Sequence, residues 1–70
     1  MINVNRLKGK FVENGFTQAD IARSLGVTPR TLQNKLKAQN FSVQDIDRLS
    51  CVLHLTLSEV SNIFFAQFDA

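Results

Sequence analysis

The 70-residue chain has 44% hydrophobic residues, a formal net charge of +2, three glycines and one proline, too little punctuation for a sandwich or barrel of many short strands, so helix is the default. A chain of this length holds one domain, expected over residues 1–70, and buries only roughly 60% of the surface its unfolded form exposes. Its single cysteine excludes an internal disulfide and the paired cysteines of zinc sites, and no apolar run nears the roughly 20 residues of a membrane span, so a soluble cytoplasmic protein with no membrane contact is expected.

Five helix starts share one pattern: a polar cap residue that can accept from free N–H groups, an apolar residue just before it, and another four positions after it. Ile2-Asn3 leads to Leu7, Phe16-Thr17 to Ile21, Val27-Thr28 to Leu32, Phe41-Ser42 to Ile46 and Leu55-Thr56 to Val60. Three caps also carry an acid three residues on, Thr17 with Asp20, Ser42 with Asp45 and Thr56 with Glu59, where a carboxylate reaches back to the cap and favours the positive end of the helix dipole.

In chain order, the first helix is predicted from about Asn5 to Glu13 with Val4, Leu7 and Phe11 inward, and Gly15 is placed to stop it in the left-handed conformation. The second runs from about Gln18 to Leu25 with Ile21, Ala22 and Leu25 inward, and Gly26 ends it. Pro29 pre-sets the first turn of the third, which runs to about Ala38 with Leu32 and Leu36 inward. After a polar link, the fourth spans about Val43 to Leu53, with Val43, Ile46, Leu49 and Leu53 on one buried face, and the fifth turns Leu57, Val60 and Phe64 inward.

Charge divides along the chain. Residues 1–40 carry Arg6, Lys8, Lys10, Arg23, Arg30, Lys35 and Lys37 against Glu13 and Asp20, a net +5, whereas residues 41–70 carry Arg48 against Asp45, Asp47, Glu59 and Asp69, a net −3. A positive half beside a negative half suits docking of one side onto a polyanion, although a solvated charged face gives the same count.

Only Gly26 and Val27 separate Leu25 from the cap of the next helix, so the second and third helices meet sharply, as in a helix-turn-helix, and Ala22 is small enough to let them approach. With Leu32 and Leu36 inward, Arg30, Asn34 and Lys37 fall on the outward side of the third helix, flanked by Gln33 and Thr31. The chemistry suits a duplex groove: Arg donates two hydrogen bonds to guanine O6 and N7, and Asn or Gln pairs with adenine N6 and N7. Lys35 and Lys37 suit phosphates.

The stretch "TQADIARSLGVTPRTLQNKL" resembles the helix-turn-helix of the phage Cro and repressor type, and "FSVQDIDRLSCVLHLTLSEVSNIFF" resembles the two helices that follow it in small members. The matching positions are Gln18, Ala22, Gly26, Val27 and Leu32. The resemblance implies an all-α, compact five-helix bundle of the lambda-repressor-like type and a sequence-specific transcriptional regulator of the phage or prophage switch kind, with double-stranded DNA as partner. It implies base reading by Arg30, Gln33 and Asn34, a phosphate contact at Gln18 and a backbone contact at Lys37; Thr28, Thr31 and Lys35 are expected as further phosphate-binding residues. Pro29 stands where many members place a reading side chain, and Lys35 replaces an apolar residue, so no sequence preference carries over.

One histidine and one cysteine, His54 and Cys51, supply half a tetrahedral zinc site at most. Cys51 is expected as a small, partly buried core residue, and His54, at the end of the fourth helix, as a group that favours the negative end of the dipole when protonated. With no glycine-rich phosphate loop and with its acids accounted for as caps or solvated charges, the chain is expected to be neither an enzyme nor a cofactor binder.

In the C-terminal "IFFAQFDA", Phe64 fits the core stripe, whereas Ile63, Phe65 and Phe68 cannot all turn inward with it. These three are candidates for a homodimer interface, or the tail folds over its own core. The rival function is a protein-binding module that masks a partner repressor through the acidic half or the apolar tail.

Overall fold

The structure is a computed structural model and describes residues 2–65. Five helices follow in chain order: α1 (Val4–Glu13), α2 (Gln18–Leu25), α3 (Pro29–Ala38), α4 (Val43–Val52) and α5 (Leu57–Phe64). The described residues contain no strand.

Every helix starts where its cap directs. Asn3, Thr17, Thr28, Ser42 and Thr56 each accept from the backbone N–H three residues on, and the reciprocal carboxylate bonds of Asp20, Asp45 and Glu59 are all formed. The apolar residues that precede the caps, Ile2, Phe16, Val27, Phe41 and Leu55, all pack against the core. Each staple therefore contributes apolar area as well as fixing the angle at which the chain joins its helix.

The loops repeat one shape. Gly15 (φ 76°), Gly26 (φ 72°), Gln39 (φ 56°) and His54 (φ 53°) are all left-handed. At each, the amide of the following residue bonds back to a carbonyl five positions earlier, from Phe16 to Phe11 (2.9 Å), Val27 to Ala22 (2.9 Å), Asn40 to Lys35 (3.0 Å) and Leu55 to Ser50 (3.0 Å). This is the double-bonded helix stop in which a left-handed residue lets the chain close over the last free carbonyls. In three loops, Gly15-Phe16-Thr17, Gly26-Val27-Thr28 and His54-Leu55-Thr56, the left-handed residue is followed by an apolar staple and a threonine cap, so three residues stop one helix and start the next.

The core is one cluster: Leu7 and Phe11 from α1, Ile21, Ala22 and Leu25 from α2, Leu32 and Leu36 from α3, Leu49 and Leu53 from α4 and its end, and Ile63 and Phe64 from α5. Phe41 meets Phe64 edge to face with centroids 6.0 Å apart. No polar residue is buried among the described residues, and none of their buried side-chain polar atoms lacks a partner. Helix α2 packs against α3 and α4, and α5 against α1 and α4.

Several expectations need correction. Val43 is 83% exposed and Leu57 90% exposed rather than inward; both open their helices, where the stapled residues Phe41 and Leu55 take the inward place. Cys51 is exposed, because it lies about 200° round α4 from both Leu49 and Leu53, which are buried. Helix α4 ends at Val52, and Leu53 reaches the core from just beyond it. Ile63 is fully buried, so it belongs to the core and not to an outer interface; α5 turns Ile63 and Phe64 inward together and keeps Val60 half-buried.

Candidate nucleic-acid interface

Helix α3 is held in place at its start, its roll and its end. Thr28 Oγ1 accepts from the Thr31 amide at 3.2 Å and lies 3.0 Å from Thr31 Oγ1. Leu32 and Leu36, buried one turn apart, fix which face turns inward. At the far end, the Gln39 side-chain oxygen accepts from the Ile2 amide at 3.1 Å, while the Asn3 amide donates to the Ile63 carbonyl at 2.7 Å. The chain start thus ties the end of α3 to the end of α5.

With the roll fixed, Arg30, Thr31, Gln33, Asn34 and Lys37 are all exposed. Arg30, Asn34 and Lys37 lie within about 60° of the point opposite the Leu32–Leu36 ridge. Gln33 sits on the flank toward α1, where with Lys37 and Leu36 it faces Val4 and Lys8 of α1 and Gln18 of α2 across a cleft of ≈ 340 Å³. Gln18, the first residue of α2, is half-buried at this cleft.

Lys35 points the other way. It lies on the flank toward α4, and its Nζ donates to Asp45 Oδ2 at 2.9 Å while that oxygen also accepts from the Ser42 amide at 3.1 Å. Burial alone would raise the Asp45 pKa, but the ammonium and the amide outweigh it and hold the carboxyl below its usual range. Lys35 is therefore a strut between α3 and α4, which corrects its expected place among phosphate-facing groups. Thr28 and Thr31 remain exposed, and because one of the two hydroxyls must donate to the other, one O–H is left for an outside acceptor.

The eight basic side chains fall into two sets. Lys10 pairs with Glu59 and, at 3.4 Å, with Glu13; Arg23 lies 3.7 Å from Asp20; Lys35 holds Asp45; and Arg48 Nη1 donates to the Ser24 carbonyl at 3.4 Å. Arg6, Lys8, Arg30 and Lys37 have no acidic partner among the described residues. Three of those four lie on the outward side of α3 or in its cleft, and none of the residues lining that cleft is acidic. Glu59 and Asp20 are engaged elsewhere: the Lys10 ammonium and the Thr56 amide lower Glu59 to about 2, and the Thr17 amide and hydroxyl lower Asp20.

Lys8 was missed by sequence reasoning; its signal was the four-residue step from Val4, which puts it on the same flank of α1. Arg48, whose guanidinium reaches the carbonyl of Ser24 on α2, left no sequence signal. Of the interface candidates, Ile63 is buried, Phe65 is 42% exposed, and Phe68 lies outside the described residues. Among those residues no group of three or more His, Cys, Asp or Glu could hold a metal, and no helix is long and apolar enough to cross a membrane.

Comparison with curated proteins and with solved structures finds no match. A family model described as helix-turn-helix matches residues 7–60, from α1 into α5 and across the α2–α3 corner. That family is one of DNA-binding transcription regulators and not of enzymes, and with more than half of its length matched the chain belongs to the helix-turn-helix family.

Proposed function

We propose that the chain is a sequence-specific, Cro- or repressor-like switch protein that inserts α3 into the major groove of its operator. The observation that carries this reading is the sorting of the basic residues: apart from Arg6, the cations that lie off the outward stripe of α3 and its cleft are held by acids or a carbonyl, and those on the stripe or in the cleft are not. Arg30, Gln33 and Asn34 read base edges, each good pair contributing about 1–3 kcal/mol of discrimination. Gln18, Lys37 and the Thr28–Thr31 hydroxyl pair hold phosphates and set the register. Occupancy blocks or redirects polymerase in the cytoplasm, and the resemblance to the phage type supports a phage or prophage switch. Two copies joined through the α5 end, where Phe65 stays exposed, would set two α3 helices roughly 34 Å apart, one DNA turn.

The exposure of Val43 and Leu57, both in the acidic half, favours a second reading, a module that masks a partner repressor. Selection of bound sequences from a random duplex pool at stated salt separates the two. The DNA reading expects a preferred, palindromic site whose preference relaxes in Arg30→Ala or Asn34→Ala. Absence of any enriched sequence, with loss of partner binding in Leu57→Ser, overturns it.

A further inference from the structure

Of the asparagines in the chain only Asn14 precedes a glycine. Loss of a side-chain amide begins when the backbone nitrogen of the next residue attacks the asparagine Cγ, and a glycine there has no side chain to crowd the approach. Asn14 and Gly15 are both exposed, at the stop of α1. The fold holds them out of that reaction. Asn14 Nδ2 donates to the Lys10 carbonyl at 2.9 Å, and the Gly15 amide donates to the Val12 carbonyl at 3.0 Å. Asn14 has a ψ of 2°, which lays the Gly15 nitrogen over the amide nitrogen of Asn14 itself and turns it a third of a turn away from Cβ. Ring closure therefore requires both hydrogen bonds to break and ψ to rotate, which is a local opening of the end of α1.

We propose that Asn14–Gly15 is a site of spontaneous deamidation whose rate is set by opening of the α1 end, and that the product loosens the corner from which α2 starts. In the opened loop the Gly15 nitrogen gives its proton to a solvent base and bonds to Cγ, and the side-chain nitrogen takes up a proton and leaves as ammonia. Water then adds across one of the two carbon–nitrogen bonds of the cyclic imide, its hydroxyl to carbon and its proton to nitrogen. Cleavage of the new bond gives aspartate; cleavage of the original main-chain bond gives isoaspartate, with one more carbon in the backbone. Either product replaces the Nδ2 donor by a carboxylate beside Glu13, at the negative end of the α1 dipole. In isoaspartate the longer backbone also disturbs the bond from the Phe16 amide to the Phe11 carbonyl (2.9 Å), and Phe16 is the staple ahead of the Thr17 cap of α2. This chemistry is independent of the DNA reading.

The test ages the whole chain in mildly alkaline buffer, with and without denaturant, and locates the amide-to-acid mass change by fragmentation that separates aspartate from isoaspartate. Conversion is expected to be led by Asn14, and to run about tenfold to thirtyfold slower without denaturant, where two hydrogen bonds must first open. The aged chain should melt at a lower Tm than the fresh chain. Asn14→Asp, which keeps the normal backbone length, should show a smaller drop, and Asn14→Gln, whose side chain would close a larger ring, should stay unconverted over the same time. Conversion led by another asparagine, or none at Asn14 in denaturant, overturns the site. Equal rates with and without denaturant overturn the control by opening, and a chain converted at Asn14 that keeps the fresh Tm overturns the structural consequence.

Discussion

Arg30 and Asn34 stand on the side of α3 away from Leu32 and Leu36, and their side chains make no hydrogen bond or ion pair with the other described residues. Replacing either by Ala should therefore leave the fold intact and cost about 1–3 kcal/mol of discrimination at one base pair, whereas Lys37→Ala should weaken binding to all sequences and flatten the salt slope by about 0.9; binding to the selected site and to single-base variants measures both. Lys35 gives the contrast. Because its ammonium holds the largely buried Asp45 carboxyl, Lys35→Ala should lower unfolding stability by about 1 kcal/mol in a denaturant titration while leaving the salt slope of DNA binding at the wild-type value. The sequence distinguished the outward stripe from the buried ridge because 100° per residue suffices for that, but it could not say that the Lys35 flank meets α4 or that Lys8 and Lys37 line one cleft. Those are facts about neighbouring helices, and a helical wheel contains no neighbour.

At the scale of elements, the caps were legible because each depends on four to six consecutive residues. Thr17 with Asp20, Ser42 with Asp45 and Thr56 with Glu59 are self-contained pairs, and all three close as reciprocal hydrogen bonds. The left-handed stops at Gln39 and His54 were not legible, since glycine is the residue that advertises that conformation and neither position has one. Holding a non-glycine residue there costs of order 1 kcal/mol. His54 is exposed, so His54→Gly should raise unfolding stability by about 0.5–1 kcal/mol, read as a higher Tm with unchanged DNA binding. Gln39→Gly should gain less, because it also removes the acceptor for the Ile2 amide. Val43 and Leu57 were misplaced for a related reason: both satisfy the apolar period, yet the period does not register that a stapled residue already fills the space beneath a helix start.

At the scale of the molecule, two ion pairs tie the helices together, Lys10 of α1 to Glu59 of α5 and Lys35 of α3 to Asp45 of α4. Glu59 is lowered from 4.5 to about 2, chiefly by Lys10, and Asp45 and Asp20 also lie below their ordinary values. A carboxyl whose folded pKa is depressed adds stability above its unfolded pKa and loses it as pH falls through the folded one. Tm is therefore expected to hold steady down to about pH 4.5 and to fall between there and about pH 2, and Glu59→Gln should show a shallower fall. Lys10, raised above 10.5 by Glu59, gives the opposite arm, its contribution being lost as pH rises through the folded value. The most direct test of the central claim, that the outward face of α3 is the DNA-reading surface, is to follow backbone amide resonances of the whole chain as a selected duplex is added at fixed salt. The account predicts the largest shifts from Thr28 to Lys37, with further shifts at Lys8 and Gln18, and near silence at Val43 and Leu57. Shifts concentrated at Val43, Leu57 and Phe65 with α3 silent would contradict it.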